Sequence, residues 1–283
     1  MADTSLVLGP GLELGSALSA RGRLTVVADS LDVDGSWLLA RMVAGALARD
    51  AGLAALLVFS EPARWEQWAQ ALRKAGLPTA ALERRVAHVE IQEGELPATT
   101  ARRQLDGVAA GGAGGWGWGG DRPARVLVIV DDVGGAVDSA GRICGAEACA
   151  GIARLLRGAG ARPAAEVDGA RSHADPAVAG VCVRVRSELV PAAQSLGSRV
   201  LPAEAAAAAP EGMASHQEGF EAALWAAAGL AVSLGPLPSG SASGVTGIIG
   251  AEVRDHAAGP CLGSSLPFVV DEAGVRVGAS VTA

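Results

Sequence analysis

The chain has 283 residues, half of them hydrophobic, and carries a formal net charge of −7 at pH 7. This length and composition allow a large buried core, and we favour a single domain over residues 1–283. The acidic balance argues against a protein that binds nucleic acid through its overall electrostatic field. The basic pairs Arg84-Arg85 and Arg102-Arg103 are interpreted as solvated ends of helices or strands, so they support no nucleic-acid site alone.

The four cysteines and four histidines show no spacing typical of metal ligands, so the sequence predicts no metal site. Reduced thiols in an intracellular protein are the simplest interpretation of the cysteines. The N-terminal residues lack the basic start and apolar stretch of a secretory signal, and no run of about twenty apolar residues predicts a membrane span. We therefore expect a protein of the cytoplasm, with the nucleus as a second location.

The first third of the chain alternates between strand-like and helix-like segments. Strands are predicted at Leu24–Ala28, Ala54–Phe59 and Val86–Ile91, and helices at Ser36 to about Arg49, about Ala63 to Lys74 and Pro97 to about Gly107. The second strand is apolar throughout, as expected for a strand with helices on both faces. These βαβ units predict an α/β fold with a mostly parallel sheet flanked by helices.

Between the first strand and the first helix, the segment Ser30-Leu-Asp-Val-Asp34-Gly35-Ser36-Trp37 stands where a P-loop protein carries G-x-x-x-x-G-K-[ST]. A P-loop needs a first glycine for its turn, a lysine for the phosphates and a hydroxyl for Mg²⁺. In this chain, the four fixed positions of that motif hold Ser30, Gly35, Ser36 and Trp37 in order. The aspartates within the segment also repel a triphosphate. The segment therefore predicts the frame of a phosphate site without nucleotide chemistry, and we predict no cofactor.

We assign these residues to the fold instead. Asp34 or Ser36 is expected to cap the first helix, and Gly35 to permit a tight turn between strand and helix. Trp37 and Leu38 are expected to begin the buried face of that helix.

A second nucleotide-related pattern is the run Arg125-Val-Leu-Val-Ile-Val-Asp131-Asp132, which resembles a Walker B strand. In an NTPase, the first such Asp orders Mg²⁺ and a neighbouring acid polarises water. A hydrophobic strand that ends in Asp is nevertheless common at the carboxyl edge of any α/β sheet. The pattern therefore supports the fold more than an activity, and we assign no catalytic residue. A helix is predicted from around Ser139 to Leu156.

Two segments depart from the regular alternation. Residues 107–120 read GVAAGGAGGWGWGG and are expected to form a mobile surface loop, because ordering so many glycines costs much entropy. Residues 158–212 are poorly assigned and partly linker-like. Within them, Val181–Arg186 predicts a strand with its valines on one face and its arginines on the other.

The C-terminal part predicts a helix followed by antiparallel pairing. The helix spans Glu218–Ala228, and the two predicted hairpins join Leu230–Leu234 to Gly247–Val253 and Phe268–Val270 to Val275–Val277.

Residues 22–39, GRLTVVADSLDVDGSWLL, resemble the segment of the Elongator complex protein 6 family in which a gKLtl…D…tDGSFLv pattern replaces the P-loop. The spacing to the second strand and to Val126–Asp132 is also similar, as is the hairpin-rich C-terminal part. The resemblance covers about residues 20–140 well and 215–283 loosely. It implies a RecA-like fold of the P-loop NTPase type that lacks a functional Walker A motif.

For function, the resemblance implies a non-catalytic structural and regulatory subunit. Members of this family join Elongator subunits 4 and 5 in a hetero-hexameric ring with two copies of each. That ring attaches to the catalytic Elongator subunits and supports tRNA wobble-uridine modification, whose chemistry belongs to the radical-SAM/acetyltransferase subunit. The implied partners are therefore the other Elongator subunits and, through the assembled ring, tRNA, without a membrane.

Three alternatives stay open. A divergent RecA-type ATPase would use Asp131 and Asp132 for Mg²⁺, but the only lysine, Lys74, ends the second helix instead of lying beside the loop. A stand-alone nucleic-acid-binding module is disfavoured by the acidic charge. The related Elongator subunit 5 differs in identity but hardly in function.

Overall fold

The structure is a computed structural model that describes twelve stretches of the chain. They are residues 13–18, 22–29, 33–61, 64–92, 94–109, 123–131, 145–158, 177–186, 223–236, 245–255, 259–271 and 274–278. The strands are β1 Arg23–Asp29, β2 Leu53–Phe59, β3 Val86–Glu90, β4 Arg125–Asp131, β5 Ala177–Arg186, β6 Leu230–Gly235, β7 Gly247–Asp255, β8 Gly259–Asp271 and β9 Gly274–Val277.

These strands form one mixed sheet in the order β3-β2-β4-β5-β1-β6-β7-β8-β9. The strands from β3 to β6 in that order pair in parallel, and the remaining pairs are antiparallel. The predicted α/β fold, with a mostly parallel sheet and antiparallel C-terminal strands, is therefore confirmed.

Helices cover both faces of the sheet. They are α1 Leu14–Leu18, α2 Ser36–Arg49, α3 Arg64–Lys74, α4 Thr79–Arg85, α5 Pro97–Ala109 and α6 Gly145–Gly158, with a further helical turn at residues 223–227. The core on one face joins α1 to α4 with the sheet, and the core on the other face joins α5, α6 and the turn at 223–227. Double coverage explains why β2 is buried along its whole length. Among the described residues, no helix is both long and apolar enough to cross a membrane.

The predicted elements of the first third agree with the structure to within about two residues. The short helices α1 and α4 and the first part of β8 were not predicted. Helix α5 runs on to Ala109, so the first three residues of the expected loop at 107–120 are helical, and residues 110–120 lie outside the described residues. Helix α6 is described from Gly145, and the predicted start at 139–144 lies outside as well.

Within the poorly assigned segment 158–212, the structure describes a ten-residue strand, β5, which starts four residues before the predicted Val181. The rest of that segment lies outside the described residues, apart from the end of α6 at Gly158. Both C-terminal hairpins are confirmed, with Val232 opposite Ala251 and Phe268 opposite Val277.

The interpretation of the Arg84-Arg85 pair as solvated is wrong for Arg85. Its Nε donates to the carbonyl of Leu53 at 2.9 Å, and its Nη2 donates to the carbonyls of Asp50 and Leu53. Arg85 therefore ties the end of α4 to the turn between α2 and β2, because a fork of N–H donors can bind two neighbouring carbonyls.

Candidate functional site

Three neighbouring strands bring charged residues to one edge of the sheet. Asp29 ends β1, Asp131 ends β4, and Arg184 lies near the end of β5, which runs between them. Carboxyl ends of parallel strands meet at the same edge. The residues two positions earlier in each strand belong to the core beneath α2 and α3: Val27, Ile129 and Cys182. Because side chains alternate along a strand, all three charged side chains project to that same face.

Arg184 is the centre of the cluster. Its Nε and Nη2 donate to Asp29 Oδ2 at 2.9 and 2.6 Å, and Nη2 also donates to Asp34 Oδ1 at 2.7 Å. Its Nη1 donates to Asp131 Oδ1 at 2.8 Å. The side chains of Arg184, Asp29 and Asp131 are 0%, 0% and 1% exposed, whereas that of Asp34 is 62% exposed. A buried guanidinium thus uses all three of its nitrogens on three carboxylates.

The electrostatics of the cluster follow from this geometry. Burial by itself lowers the pKa of Arg184, but the charges of Asp131, Asp29 and Asp34 outweigh it, so the pKa of Arg184 is raised. Burial raises the pKa of Asp29 above its ordinary value, while Arg184 and the Gly35 N–H oppose that rise. Since an arginine does not lose its proton in proteins, the buried guanidinium needs these carboxylates to offset its desolvation.

The turn between β1 and α2 is attached to the same cluster. The N–H of Gly35 donates to Asp29 Oδ2 at 2.6 Å, and the N–H of Ser36 donates to Asp34 Oδ1 at 2.9 Å. Asp34 therefore binds the first N–H of the helix from the residue before the N-cap, but the predicted cap at Asp34 or Ser36 is wrong, because the N-cap residue is Gly35, which makes no side-chain cap hydrogen bond. The φ of Gly35 is −83°, a value that suits any residue, so this turn does not need the conformational freedom of glycine.

The close approach of Asp29 and Leu234 explains why a glycine stands at position 35. A Cβ at position 35 would lie 3.1 Å from Asp29 Cβ, 3.2 Å from Asp29 Oδ2 and 3.3 Å from Leu234 Cδ1. Gly35 is thus the residue that lets the turn approach the buried carboxylate of β1.

Helix α3 closes the cluster from the side of Asp131. Trp68 is 2% exposed, and its Nε1 donates to Asp131 Oδ2 at 2.8 Å. Nη1 of Arg64 lies 3.5 Å from the same oxygen. Both oxygens of Asp131 are therefore engaged, one by Arg184 and one by α3. A small cleft opens here, lined by Ser36, Arg64, Gln67, Trp68, Ala71 and Asp131.

Of the residues singled out in the sequence, the structure brings Asp34, Gly35 and Asp131 together in this cluster. Ser36 begins α2 and lines the cleft. Ser30 and Asp132 lie outside the described residues.

Trp37 belongs to the core instead of the cluster. It is half-buried, and its ring packs against that of Phe268 with 5.4 Å between centroids. Leu38, next to it, is fully buried. The predicted start of the buried face of α2 is confirmed.

Sequence reasoning missed Asp29, Trp68 and above all Arg184. The sequence contained a signal for two of these residues. Asp29 ends an apolar strand in the same manner as Asp131, and Arg184 interrupts a run of valines. An arginine between valines indicates a buried cation when the strand is central, since both faces of such a strand are covered.

The cation at the centre of the cluster is a guanidinium that the chain itself supplies. In the stretches that the structure describes, no group of three or more His, Cys, Asp or Glu side chains is arranged to bind a metal ion. Its carboxylates are spaced around a planar cation that the chain itself supplies.

Comparison with known proteins adds no name to this site. No protein-family model matches the chain, and no curated protein matches it. A functional assignment therefore depends on the resemblance over residues 22–39 and 126–132 together with the geometry of the cluster.

Proposed function

We propose that this chain is a non-catalytic structural and regulatory subunit of the Elongator complex, with a RecA-like fold and the position of Elongator complex protein 6. The observation that carries the proposal is the place of Arg184. Its guanidinium lies at the sheet edge, among Asp29, Asp34 and Asp131, where a P-loop NTPase holds phosphates and Mg²⁺. A permanent internal cation offsets part of the negative charge of these carboxylates without a ligand.

The strand order supports the RecA-like part of the proposal. The sheet runs β3-β2-β4-β5-β1-β6 in parallel, and β1 ends at Asp29 on the carboxyl edge, directly before the degenerate segment in the sequence. In open α/β sheets, this edge is where nucleotides bind. This edge carries the degenerate segment, and the carboxylates of Asp29, Asp34 and Asp131 there bind Arg184 of the same chain.

The same contacts argue against the divergent ATPase. Such an enzyme needs Asp131 to order Mg²⁺. Here Oδ1 of Asp131 accepts a hydrogen bond from Arg184 and Oδ2 accepts one from Trp68, each at 2.8 Å. Binding of Mg²⁺ would have to break a hydrogen bond in a buried charge network, which is costly.

Function then comes from contacts with other proteins. We propose that the chain joins Elongator subunits 4 and 5 in a hetero-hexameric ring, in the cytoplasm and the nucleus, and that the ring contacts tRNA for wobble-uridine modification. The net charge of −7 agrees with a subunit that contacts proteins and leaves tRNA binding to the assembled ring.

Co-expression with subunits 4 and 5 tests this proposal. We expect the purified particle to have the mass of six subunits in light scattering and to bind tRNA, and the chain alone to bind none. A chain that stays monomeric at micromolar concentration beside these partners contradicts the proposal. Assembly with subunits 4 and 6 instead assigns the chain as subunit 5.

A separate measurement addresses the ATPase. Calorimetry of the isolated chain with Mg·ATP is expected to give no binding heat, because no lysine holds the β- and γ-phosphates. Tight binding that Asp131→Ala abolishes supports the ATPase and contradicts the non-catalytic subunit.

A further inference from the structure

The carboxylates around Arg184 match the shape of a planar guanidinium. Asp29 accepts from Nε and Nη2, Asp131 accepts from Nη1, and Asp34 shares Nη2. The acceptors thus lie on different sides of one fork of donors. An ammonium group is a compact point charge and cannot reach all of these positions at hydrogen-bonding distance.

The site also has an acceptor that Arg184 does not use. Oδ1 of Asp29 is buried, and it has no hydrogen-bond partner within the described part of the chain. A buried carboxylate oxygen without a donor is costly, so it favours a further N–H at this point. Asp34 is the exposed carboxylate of the cluster and marks its solvent side.

We propose that Asp29, Asp34 and Asp131 form a guanidinium-binding site, which Arg184 occupies from within the same chain. Its occupancy holds the turn between β1 and α2 in one conformation without an external ligand. The turn depends on it because Asp29 also accepts the N–H of Gly35 and Asp34 also accepts the N–H of Ser36. The ligand class of the site is an alkylguanidinium cation.

This site goes beyond the proposed Elongator function and does not depend on it. Its test needs no ring partner, so each of the two proposals can fail alone. The proposal also predicts which external cation binds when Arg184 is removed. An ion pair that only stabilises the fold makes no such prediction.

The test is chemical rescue of Arg184→Ala. The probe is methylguanidinium chloride at about 10 mM, compared with equal concentrations of methylammonium chloride, MgCl₂ and NaCl. We expect methylguanidinium to raise the unfolding midpoint of this variant by several degrees, because a ligand that binds only the folded state stabilises it. The parent protein and Arg102→Ala, whose arginine pairs with Asp106 on an exposed helix face, should show no such rise.

A second readout is amide hydrogen exchange at Gly35 and Ser36. Exchange at both N–H groups should be at least about tenfold faster in Arg184→Ala than in the parent, and methylguanidinium should slow it again. The additional change Asp131→Asn should weaken both effects, because it replaces the carboxylate that faces one side of the fork by a neutral and weaker acceptor.

Three results overturn the proposal. The first is a shift of the Arg184→Ala midpoint that is no larger than that of the parent. The second is equal rescue by methylammonium, and the third is preferential rescue by Mg²⁺, which would indicate a metal site. If Arg184→Ala does not fold alone, its refolding yield is measured with each cation, and a yield no higher with methylguanidinium than with methylammonium also overturns the proposal.

Discussion

Arg184 and Asp29 form an ion pair across neighbouring strands in which neither side chain is exposed. In the parallel register, Arg184 lies opposite Val27, two residues before Asp29 on the same face of the sheet. The arginine therefore reaches forward along β1 towards the turn that precedes α2. Removing Arg184 leaves buried carboxylates without their cation, whereas removing Asp29 leaves the guanidinium with one buried carboxylate, Asp131, and the exposed Asp34.

We predict that Asp29→Asn destabilises the protein far more than Asp34→Asn does. Both aspartates accept from Nη2 of Arg184, at 2.6 and 2.7 Å, but only Asp34 is exposed. The buried change should lower the free energy of unfolding by about 1–3 kcal/mol, because Asp29 Oδ2 accepts two buried hydrogen bonds from Arg184 and one from Gly35, and the exposed change by less than about 1 kcal/mol. Urea unfolding of the two variants measures the difference.

Asparagine is the matched choice in this comparison. It keeps an oxygen that can accept the N–H of Ser36 from position 34, since Asn and Asp cap helices about equally well. The remaining difference is therefore that the weakened hydrogen bonds are buried at Asp29 and exposed at Asp34. Equal losses in the two variants would contradict the assignment of Asp29 as the main partner of Arg184.

The second prediction concerns the space around Gly35. Gly35→Ala should lower the free energy of unfolding by about 1–3 kcal/mol, because the new methyl group would lie 3.1 Å from Asp29 Cβ. Gly107→Ala is the control. Gly107 lies in α5 with no atom within 4 Å of a built Cβ, so alanine should stabilise there by about 0.5–1 kcal/mol. If Gly35→Ala left the free energy of unfolding unchanged, the turn would not be in close contact with β1.

Much of the architecture was predictable, because β1, β2 and β4 carry continuous apolar runs between helix-like segments. The burial of Arg184 was not predictable, because alternating valines and arginines in β5 are equally typical of a strand with one exposed face. Its burial is decided by its neighbours, β4 on one side and β1 on the other, and pairing between distant strands leaves no local pattern. Trp68 was missed for a similar reason, since its partner Asp131 lies sixty-three residues away.

The third prediction tests the contact between α3 and β4. Trp68→Phe keeps most of the packing but removes the N–H that donates to Asp131 Oδ2 at 2.8 Å. The change should lower the free energy of unfolding by about 1–3 kcal/mol, because it leaves a buried carboxylate oxygen with one donor fewer. In the Asp131→Asn background, Trp68→Phe should lower the free energy of unfolding by a smaller amount, since a neutral amide is a weaker acceptor. Additive costs in this double-mutant cycle would contradict the contact.

The last prediction is a pH dependence at the edge strand β3. His88 is an exposed residue of this strand, but its ring stacks on Trp65 with 4.2 Å between centroids, and this partial burial lowers its pKa from the ordinary value of 6.5, against the opposing charge of Glu66. A histidine with a lowered pKa in the folded state favours folding in its neutral form. Its contribution is therefore full above pH 6.5 and is lost as the pH falls through 6.5 towards the lower pKa of the folded state.

His88→Phe isolates this effect, because phenylalanine keeps a ring against Trp65 and does not titrate. Between about pH 7.5 and about pH 5, the parent should lose more free energy of unfolding than His88→Phe, as measured by urea unfolding at each pH. The Glu66→Gln variant should lose more free energy of unfolding over this pH range than the parent does, because it lacks the charge that partly restores the pKa of His88. Parallel pH profiles for the parent and His88→Phe would mean that the ring titrates equally in the folded and unfolded states.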